Sequence, residues 1–207
     1  GAALLASAAS AQEPIKIGPS LPLTGNFSVT GEKHQQAFEL CVDQINAKGG
    51  LLGRQVELIV SDNRSDTETA ISQYERLINV DNVDIVFGTF SSKLTFPTSV
   101  IVDKYDMILP IPSGGALRIW MQGHEHQFYF QQNAAELFGE SIVKMITDLI
   151  PEGDRPKTVA VVHSDDFFAN GIAAGLLGPT VENPGGGVLV DLAPGNLAEA
   201  RIEVVLA

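Results

Sequence analysis

The sequence predicts an α/β fold in which parallel sheets are flanked by helices and arranged as two lobes, the second of them incomplete. Apolar β-rich runs alternate with amphipathic helical stretches, and short polar loops join them. Strand–helix repeats of this kind form parallel sheets through right-handed crossovers. The first lobe is predicted at residues 13–130, and the second lobe begins at residue 133 and runs to 207 with too few strands for a full sheet.

Each predicted element rests on its own pattern. Strands are predicted at residues 15–21, 56–60, 83–87, 107–111 and 158–162. A helix at 32–47 turns Ala37, Phe38, Cys41, Val42 and Ile45 to one face. Ser65 and Glu68 have the spacing of a capping box that begins the next helix, and Pro97 suits the first turn of a third. The helix at 134–150 is predicted to turn these residues inward: Leu137, Phe138, Ile142, Met145, Ile146 and Leu149.

Charge and hydropathy exclude several kinds of partner. The net charge is −12 and the isoelectric point is about 4.6, so the surface repels nucleic acid and anionic lipid. No stretch approaches the roughly 20 apolar residues that a membrane span needs. We therefore expect no nucleic-acid partner and no direct membrane insertion.

The first eleven residues have the composition of a processing segment. Residues 1–11 are rich in Ala, Leu and Ser and end Ala9-Ser10-Ala11, a small-residue pattern that signal peptidase accepts. We interpret them as the remnant of a signal peptide, with Gln12 as the first mature residue. The alternative is a frayed Ala-rich terminus. The single cysteine, Cys41, cannot form an internal disulfide and is predicted to be a buried structural thiol.

Polar, glycine-rich loops follow the predicted strands at residues 22–31, 88–95, 112–115 and 163–170. Ligands of open parallel sheets bind beyond the carboxyl ends of the strands. Hydroxyls, backbone N–H groups and helix N-termini in such loops suit an anionic group such as a carboxylate. The alternative is that Ser and Gly only end strands and cap helices there.

Catalytic and metal-binding motifs are missing from the sequence. There is no nucleophile elbow and no phosphate-binding loop. His124 and His126 have a spacing that two metal ligands could use, but without a third ligand a surface turn is favoured. His163 with Asp165 and Asp166 could form an acid–base cluster, although a solvated turn or the rim of a ligand site is the commoner arrangement. We expect no enzyme activity, no metal and no cofactor.

Several segments together resemble a known family. They are IKIG (15–18), PLTG (22–25), INAKGGLLGR (45–54), VELIVSD (56–62), PIPS (110–113) and VAVVH (159–163). Over about residues 14–171 the chain resembles the leucine/isoleucine/valine-binding proteins, the type I solute-binding proteins of ABC importers. The resemblance implies a periplasmic-binding-protein-like type I fold whose two lobes close on a small ligand.

The resemblance also implies which residues bind. Ser92 falls on the serine that holds the ligand carboxylate, and Ser91 and Thr95 flank it. Ser113, Gly114 and Gly115 fall on the loop that offers backbone atoms and a hydroxyl, and Phe168 falls on an aromatic that lines the cleft. Thr30 falls where an aromatic often lies.

Two departures from the family pattern bear on the ligand and on stability. Gly115 replaces a threonine that helps to hold an α-ammonium group, so a ligand without an α-amine is an alternative to a branched-chain amino acid. Ser65 and Ser91 stand where the family has disulfide cysteines.

The leading hypothesis is a monomeric periplasmic binding protein that captures an amino acid, amide or carboxylate ligand. It would deliver this ligand to an ABC permease in the inner membrane. Two alternatives stay open: a ligand-sensing receptor domain of the same fold, and a hydrolase that uses His163 with Asp165 or Asp166.

Overall fold

A computed structural model describes residues 12–131, 133–154, 158–177, 190–191 and 200–206. The strands are β1 (Ile15–Leu21), β2 (Val56–Leu58), β3 (Ser61–Asp62), β4 (Ile85–Phe87), β5 (Leu109–Ile111), β6 (Gln127–Tyr129), β7 (Thr158–Ser164), β8 (Val190–Asp191) and β9 (Ala200–Leu206). The helices are α1 (Ser28–Ala47), α2 (Thr67–Asn79), α3 (Ser92–Asp103), α4 (Leu117–Trp120), α5 (Ala135–Leu149) and α6 (Phe167–Leu177). The predicted signal segment, residues 1–11, lies outside the described residues.

Strand β1 is the centre of a parallel sheet. One side of it pairs first with β2 and then with β3, and the other side pairs with β4. Strands β5 and β6 are also parallel, and the Gly88 N–H donates to the Pro110 carbonyl at 2.8 Å, which joins the end of β4 to β5. We call β1 to β6 with α1 to α4 the N-terminal group. Its parallel pairing confirms the predicted α/β class.

The core of the N-terminal group lies between the sheet and its helices. Tyr74 and Leu77 of α2, Val86 of β4, Val102 of α3 and Ile111 of β5 are all fully buried in one cluster. Helix α2 has one apolar face and one exposed polar face. Burial of the apolar face against the sheet fixes the orientation of the helix.

Two helices begin earlier than the sequence predicts. Helix α1 begins at Ser28, so the last four residues of the predicted 22–31 loop are helical. Glycine is unfavourable inside a helix, yet Gly31 is buried in α1. It lies so close to the Pro22 carbonyl that a Cβ would collide with it, so only glycine fits there. Helix α3 begins at Ser92, which places Pro97 inside the helix rather than in its first turn.

Two local predictions about caps and burial are wrong. Asp66, not Ser65, caps α2, because its side chain accepts a 2.8 Å hydrogen bond from the Thr69 N–H. Ser65 instead accepts from the Phe27 N–H and donates to the Thr24 carbonyl. Cys41 is exposed, since only one side of α1 lies against the sheet and Cys41 is beyond that side.

The remaining elements, α5, α6 and β7 to β9, form what we call the C-terminal group. Helices α5 and α6 pack closely, and Gly139 and Gly175 lie where a Cβ would collide with the backbone of the other helix. Several apolar residues of α5 predicted to face inward are exposed: Leu137 by 41%, Ile142 by 40%, Met145 by 55% and Leu149 by 74%. No described element covers that part of the helix.

Strand β7 pairs with β9 in antiparallel fashion, and β9 pairs with β8 in the same way. The alternation of strands and helices predicts parallel pairing here. The connection between β8 and β9, residues 192–199, is shorter than the dozen or so residues that a parallel crossover requires.

In the described ranges, no helix has the length and apolar character to cross a membrane.

Candidate functional site

The carboxyl ends of the strands meet at one edge, and a buried asparagine ties several of them together. The Asn63 side chain is fully buried, and its Nδ2 donates to Ser20 Oγ at 3.1 Å and to Thr89 Oγ1 at 3.0 Å. Its Oδ1 accepts from the Ser65 N–H at 3.0 Å. Three segments that follow or end strands β1, β3 and β4 therefore share one polar centre.

A carboxylate holds the first loop in place. Asp62 Oδ1 accepts from the N–H groups of Leu23, Thr24 and Arg64 at 2.8–3.1 Å, and Oδ2 accepts from Thr24 Oγ1. Partial burial acts to raise the pKa of Asp62, but these hydrogen bonds outweigh it and leave the pKa below its ordinary value. The loop after β1, which carries Phe27 toward the site, is thus fixed by an ionised side chain.

A cavity of about 150 Å³ opens at this edge, between the N-terminal and C-terminal groups. Its lining combines aromatic rings, hydroxyls and one carboxylate. The lining residues are Phe27, Phe90, Ser91, Ser92, Gly114, Gln131, Asp166 and Phe168. Amphiphilic linings of this kind suit a small ligand with an apolar body and a polar end.

The polar end of the cavity is the start of α3. Ser91 is the N-cap residue and Ser92 the first helical residue, so both lie where helix N–H groups have no partner within the helix. Ser92 is almost fully buried, and its Oγ accepts from the Ala116 N–H at 3.2 Å, which leaves the hydroxyl hydrogen available. Hydroxyls and a positive helix end favour a carboxylate or another anion.

Aromatic rings form the apolar wall. Phe27 and Phe90 meet edge to face with ring centroids 5.4 Å apart. Phe168 approaches from α6, where its ring lies 6.3 Å from that of Phe138. Rings from both groups of elements therefore face the same cavity.

The structure places four of the eight predicted site residues in the lining: Ser91, Ser92, Gly114 and Phe168. Their role in binding stays a prediction. Gly114 has a φ of 128°, and a Cβ on it would lie 2.8 Å from Thr95 Oγ1, so both conformation and space require glycine.

The other four predicted residues are not part of the lining. Thr95 is buried, with Oγ1 3.2 Å from the Thr89 carbonyl O and 3.3 Å from the Ser113 carbonyl O. Ser113 Oγ lies 3.1 Å from His34 Nε2. Thr30 is half-buried on α1, and Gly115 lies behind the wall against Tyr129.

Three lining residues were not predicted: Phe27, Phe90 and Gln131. The eighth, Asp166, was considered for an acid–base cluster, with a solvated turn or the rim of a ligand site as the alternative. Phe27 and Phe90 belong to loops that the sequence already marks as binding loops, and an aromatic in such a loop is the signal that could have found them. Gln131 follows β6, where no loop was singled out.

The side chains considered for an acid–base cluster or a metal site make other contacts in the structure. His163 Nδ1 lies 3.0 Å from the Ser164 carbonyl O. Asp166 Oδ1 accepts from the N–H groups of Phe168 and Ala169, both at 2.9 Å, as a helix cap does. His124 Nδ1 lies 2.9 Å from Asp103 Oδ2. Within the part of the chain that the structure describes, no three His, Cys, Asp or Glu side chains form a metal-binding group.

The fold and the cavity define the class: an α/β protein with a cavity at the carboxyl edge of a parallel sheet, the edge where such sheets bind ligands. The model of the family described as "Periplasmic binding protein" matches residues 14–195. The chain belongs to this family, and the match confirms the resemblance inferred from the sequence.

Named relatives agree with this assignment. The chain is 31% identical over 177 residues to Leu/Ile/Val-binding protein homolog 7 of Brucella suis, covering 83% of this chain and 44% of the relative. It is 28% identical over 164 residues to homolog 8 of Brucella abortus, covering 77% of this chain and 40% of that protein. The chain thus spans less than half the length of these curated relatives.

Solved structures show the same fold. The branched-chain amino acid transporter substrate binding protein LivJ from Streptococcus pneumoniae, in complex with isoleucine, superimposes with a TM-score of 0.66 at 25% identity. That match covers 77% of this chain and 44% of LivJ. An ABC transporter substrate-binding protein from Desulfitobacterium hafniense, in complex with Leu, gives a TM-score of 0.65 at 20% identity, covering 80% of this chain and 46% of that one.

Proposed function

We propose that the protein is the solute-binding component of an ABC importer and captures a small carboxylate ligand with an apolar body. One observation carries the proposal. The hydroxyls of Ser91 and Ser92 at the α3 N-terminus and the rings of Phe27, Phe90 and Phe168 line one cavity. The arrangement offers binding groups, and the polar side chains beside it are already hydrogen-bonded to protein atoms.

The same proposal assigns the two groups of elements to two lobes, with the first at about residues 13–130 and the second beginning near residue 133. Support comes from the cavity, which takes Phe27, Phe90 and Ser92 from one group and Asp166 and Phe168 from the other. Closure of one lobe on the other would cover the ligand and present the closed form to a permease.

The first test is calorimetric titration of the full-length protein with leucine, isoleucine, valine, their amides, and aliphatic and aromatic acids. Ser92→Ala should weaken binding of any carboxylate that binds, by roughly 10- to 100-fold, because a hydrogen bond to a charged group is lost. Ser99→Ala is the matched control. Ser99 is a buried serine of the same helix whose Oγ donates to the Phe96 carbonyl, away from the cavity. Equal losses in the two variants, or no binding of any acid, would overturn the proposal.

Location and partner belong to the same proposal. We infer that the protein is periplasmic, because the segment at residues 1–11 has the pattern of an export signal. We also propose that it acts as a monomer. In cell fractionation, the natural precursor should reach the periplasm and a variant lacking these residues should stay inside. The partner is tested by asking whether the liganded protein stimulates the ATPase of a reconstituted permease. If it does not, and the full-length protein carries a receptor domain, a sensing function is favoured instead.

A further inference from the structure

One aromatic ring of the C-terminal group packs on the N-terminal group. Phe167 is the first residue of α6, and it lies against the buried apolar cluster of the N-terminal group. Its ring meets that of Phe96 on α3 edge to face, with the centroids 5.1 Å apart. Neither ring is among the residues that line the described cavity. The contact therefore joins the two groups outside the cavity.

A cation packs against the same two rings. The Arg118 guanidinium, on α4, lies 4.3 Å from the ring centroid of Phe167 and 5.3 Å from that of Phe96. Both distances are within the roughly 6 Å over which a cation is attracted to an aromatic ring. Phe167 is thus in contact with two helices of the N-terminal group, α3 and α4.

Helix α4 also contacts the other helix of the C-terminal group. Both carboxylate oxygens of Glu136, in the first turn of α5, accept from the Leu117 N–H, at 3.2 and 3.3 Å. A Cβ on Gly171 of α6 would lie 2.8 Å from Glu136 Oε1, so α6 approaches that carboxylate closely. Helices α5 and α6 therefore both rest on α4, through Glu136 and Phe167.

The residues on either side of Phe167 line the cavity. They are Asp166 and Phe168. Asp166 caps α6 by accepting from the Phe168 and Ala169 N–H groups, both at 2.9 Å, so these residues form one hydrogen-bonded helix start. Neighbouring helical residues point roughly 100° apart, so one ring can dock on α3 and α4 while the next faces the cavity. The position of Phe167 therefore fixes where Phe168 lies.

We propose that Phe167 is a positioning residue for ligand binding. Phe96 and Arg118 hold its ring, which docks the start of α6 on the N-terminal group and so places Phe168 over the cavity. This inference rests on the proposed function and deepens it. Ligand affinity then depends on side chains that the ligand does not touch. The apparent dissociation constant equals the intrinsic constant divided by the fraction of molecules in which α6 is docked.

The first test measures docking without a ligand. Nitroxide labels are attached to the full-length protein at two exposed positions, Glu68→Cys on α2 and Asp148→Cys on α5. Cys41→Ser removes the exposed native thiol. Pulsed electron–electron resonance then measures the distance between the two groups of elements.

Phe167→Ala should add a longer distance to the distribution, because α6 loses its contact with α3 and α4. Phe38→Ala is the matched control, since the Phe38 ring meets that of Phe87 edge to face at 5.0 Å within the N-terminal group. The control should leave the distribution as it is in the wild type. An unaltered distribution in Phe167→Ala overturns the proposal, and so does an equal change in the two variants.

The second test measures affinity by calorimetry, with leucine and 4-methylpentanoate as the probes. Phe167→Ala should weaken a probe that binds by roughly 3- to 30-fold, and Arg118→Leu by roughly 2- to 5-fold, the range of an exposed cation–π contact. Arg118→Lys keeps the cation and should retain part of the affinity.

A saturating probe should return Phe167→Ala to the wild-type distance, because only docked molecules bind. A ring that touched the ligand directly would instead lower the affinity without altering the ligand-free distances.

The contrary outcomes differ from one another. If Phe167→Ala lengthens the distance but binds the probe as the wild type does, docking does not position the cavity wall and the proposal is overturned. Equal losses of affinity in Phe167→Ala and Phe38→Ala also overturn it. If neither probe binds the wild type, the proposed function fails for these acids and the positioning role fails with it, while the ligand-free distances still decide whether Phe167 docks α6.

Discussion

Helices α2 and α5 have the same kind of amphipathic sequence but opposite surroundings. The apolar face of α2 is buried completely at Ala70, Tyr74 and Leu77, whereas on α5 Leu149 is 74% exposed. Helix α2 packs between α3 and the β1–β4 pair, while α5 has its main neighbour in α6. Periodicity thus predicts which face of a helix is apolar, but the neighbouring elements decide whether that face contributes to stability.

The sharpest test of this comparison truncates one leucine on each helix. Leu77→Ala should lower the free energy of unfolding by about 2–5 kcal/mol, because it leaves a cavity in a core that cannot collapse around it. Leu149→Ala should change it by no more than about 0.5 kcal/mol. Urea unfolding of both variants measures the difference. Equal losses would mean that the outer face of α5 is covered in the intact protein.

A second substitution isolates the polar part of the same core. Tyr74 is fully buried, and its hydroxyl donates to the Phe87 carbonyl at 2.6 Å. Tyr74→Phe should cost about 1–3 kcal/mol, since that carbonyl loses its partner away from water. Tyr105→Phe, at a half-buried tyrosine that bonds Glu75, serves as control and should cost less in the same unfolding experiment. The reverse order would contradict the burial described for α2.

Stability should also depend on pH through Asp62. Its pKa is lowered in the folded state, so its contribution is complete above the ordinary value of 3.8 and is lost as pH falls through the lower folded pKa. Asp62→Asn should therefore lower the melting temperature at pH 7 and flatten its decline toward pH 3. Glu57→Gln, at an exposed acid of β2, is the control. The prediction fails if both variants decline with pH as the wild type does.

The smallest predicted effect concerns the contact between the two groups. The Arg118 guanidinium lies 4.3 Å from the ring centroid of Phe167 on α6 and 5.3 Å from that of Phe96 on α3. Arg118→Leu should cost about 0.5–1 kcal/mol. A double-mutant cycle with Phe167→Leu in urea unfolding should show coupling of similar size. Zero coupling would show that the cation does not link α4 to α6.

The sequence predicts regular elements better than their ends. The strand at β1 and the apolar face of α2 follow from local patterns, and both are observed. The start of α1 does not follow from a local pattern, because Gly31 fits inside this helix only through its close approach to the Pro22 backbone. The burial of Cys41 was likewise mispredicted, since the helix has a wider apolar side than the sheet covers.

The residues of the candidate site also fall into those that the sequence could locate and those that it could not. Ser91, Ser92, Gly114 and Phe168 could be located through the family resemblance, because each lies in a recognisable loop or helix start. Gln131 could not, because only the folded chain brings it to the cavity and to Tyr129 and Ser113. Contacts of this kind have no signature in a single sequence.

The Asn63 side chain has a consequence for the motions of the ligand site. It joins segments at the ends of three strands, so a segment that separates from the sheet must break its own hydrogen bond to this shared side chain. Local opening of any of these segments therefore costs at least one hydrogen bond to a buried side chain. The Ser65 amide proton, held by Asn63 Oδ1, should exchange with deuterium as slowly as the protons of β1, despite its place in a turn. The loops around the cavity then form a preorganised surface, and a ligand has little entropy of ordering to offset there.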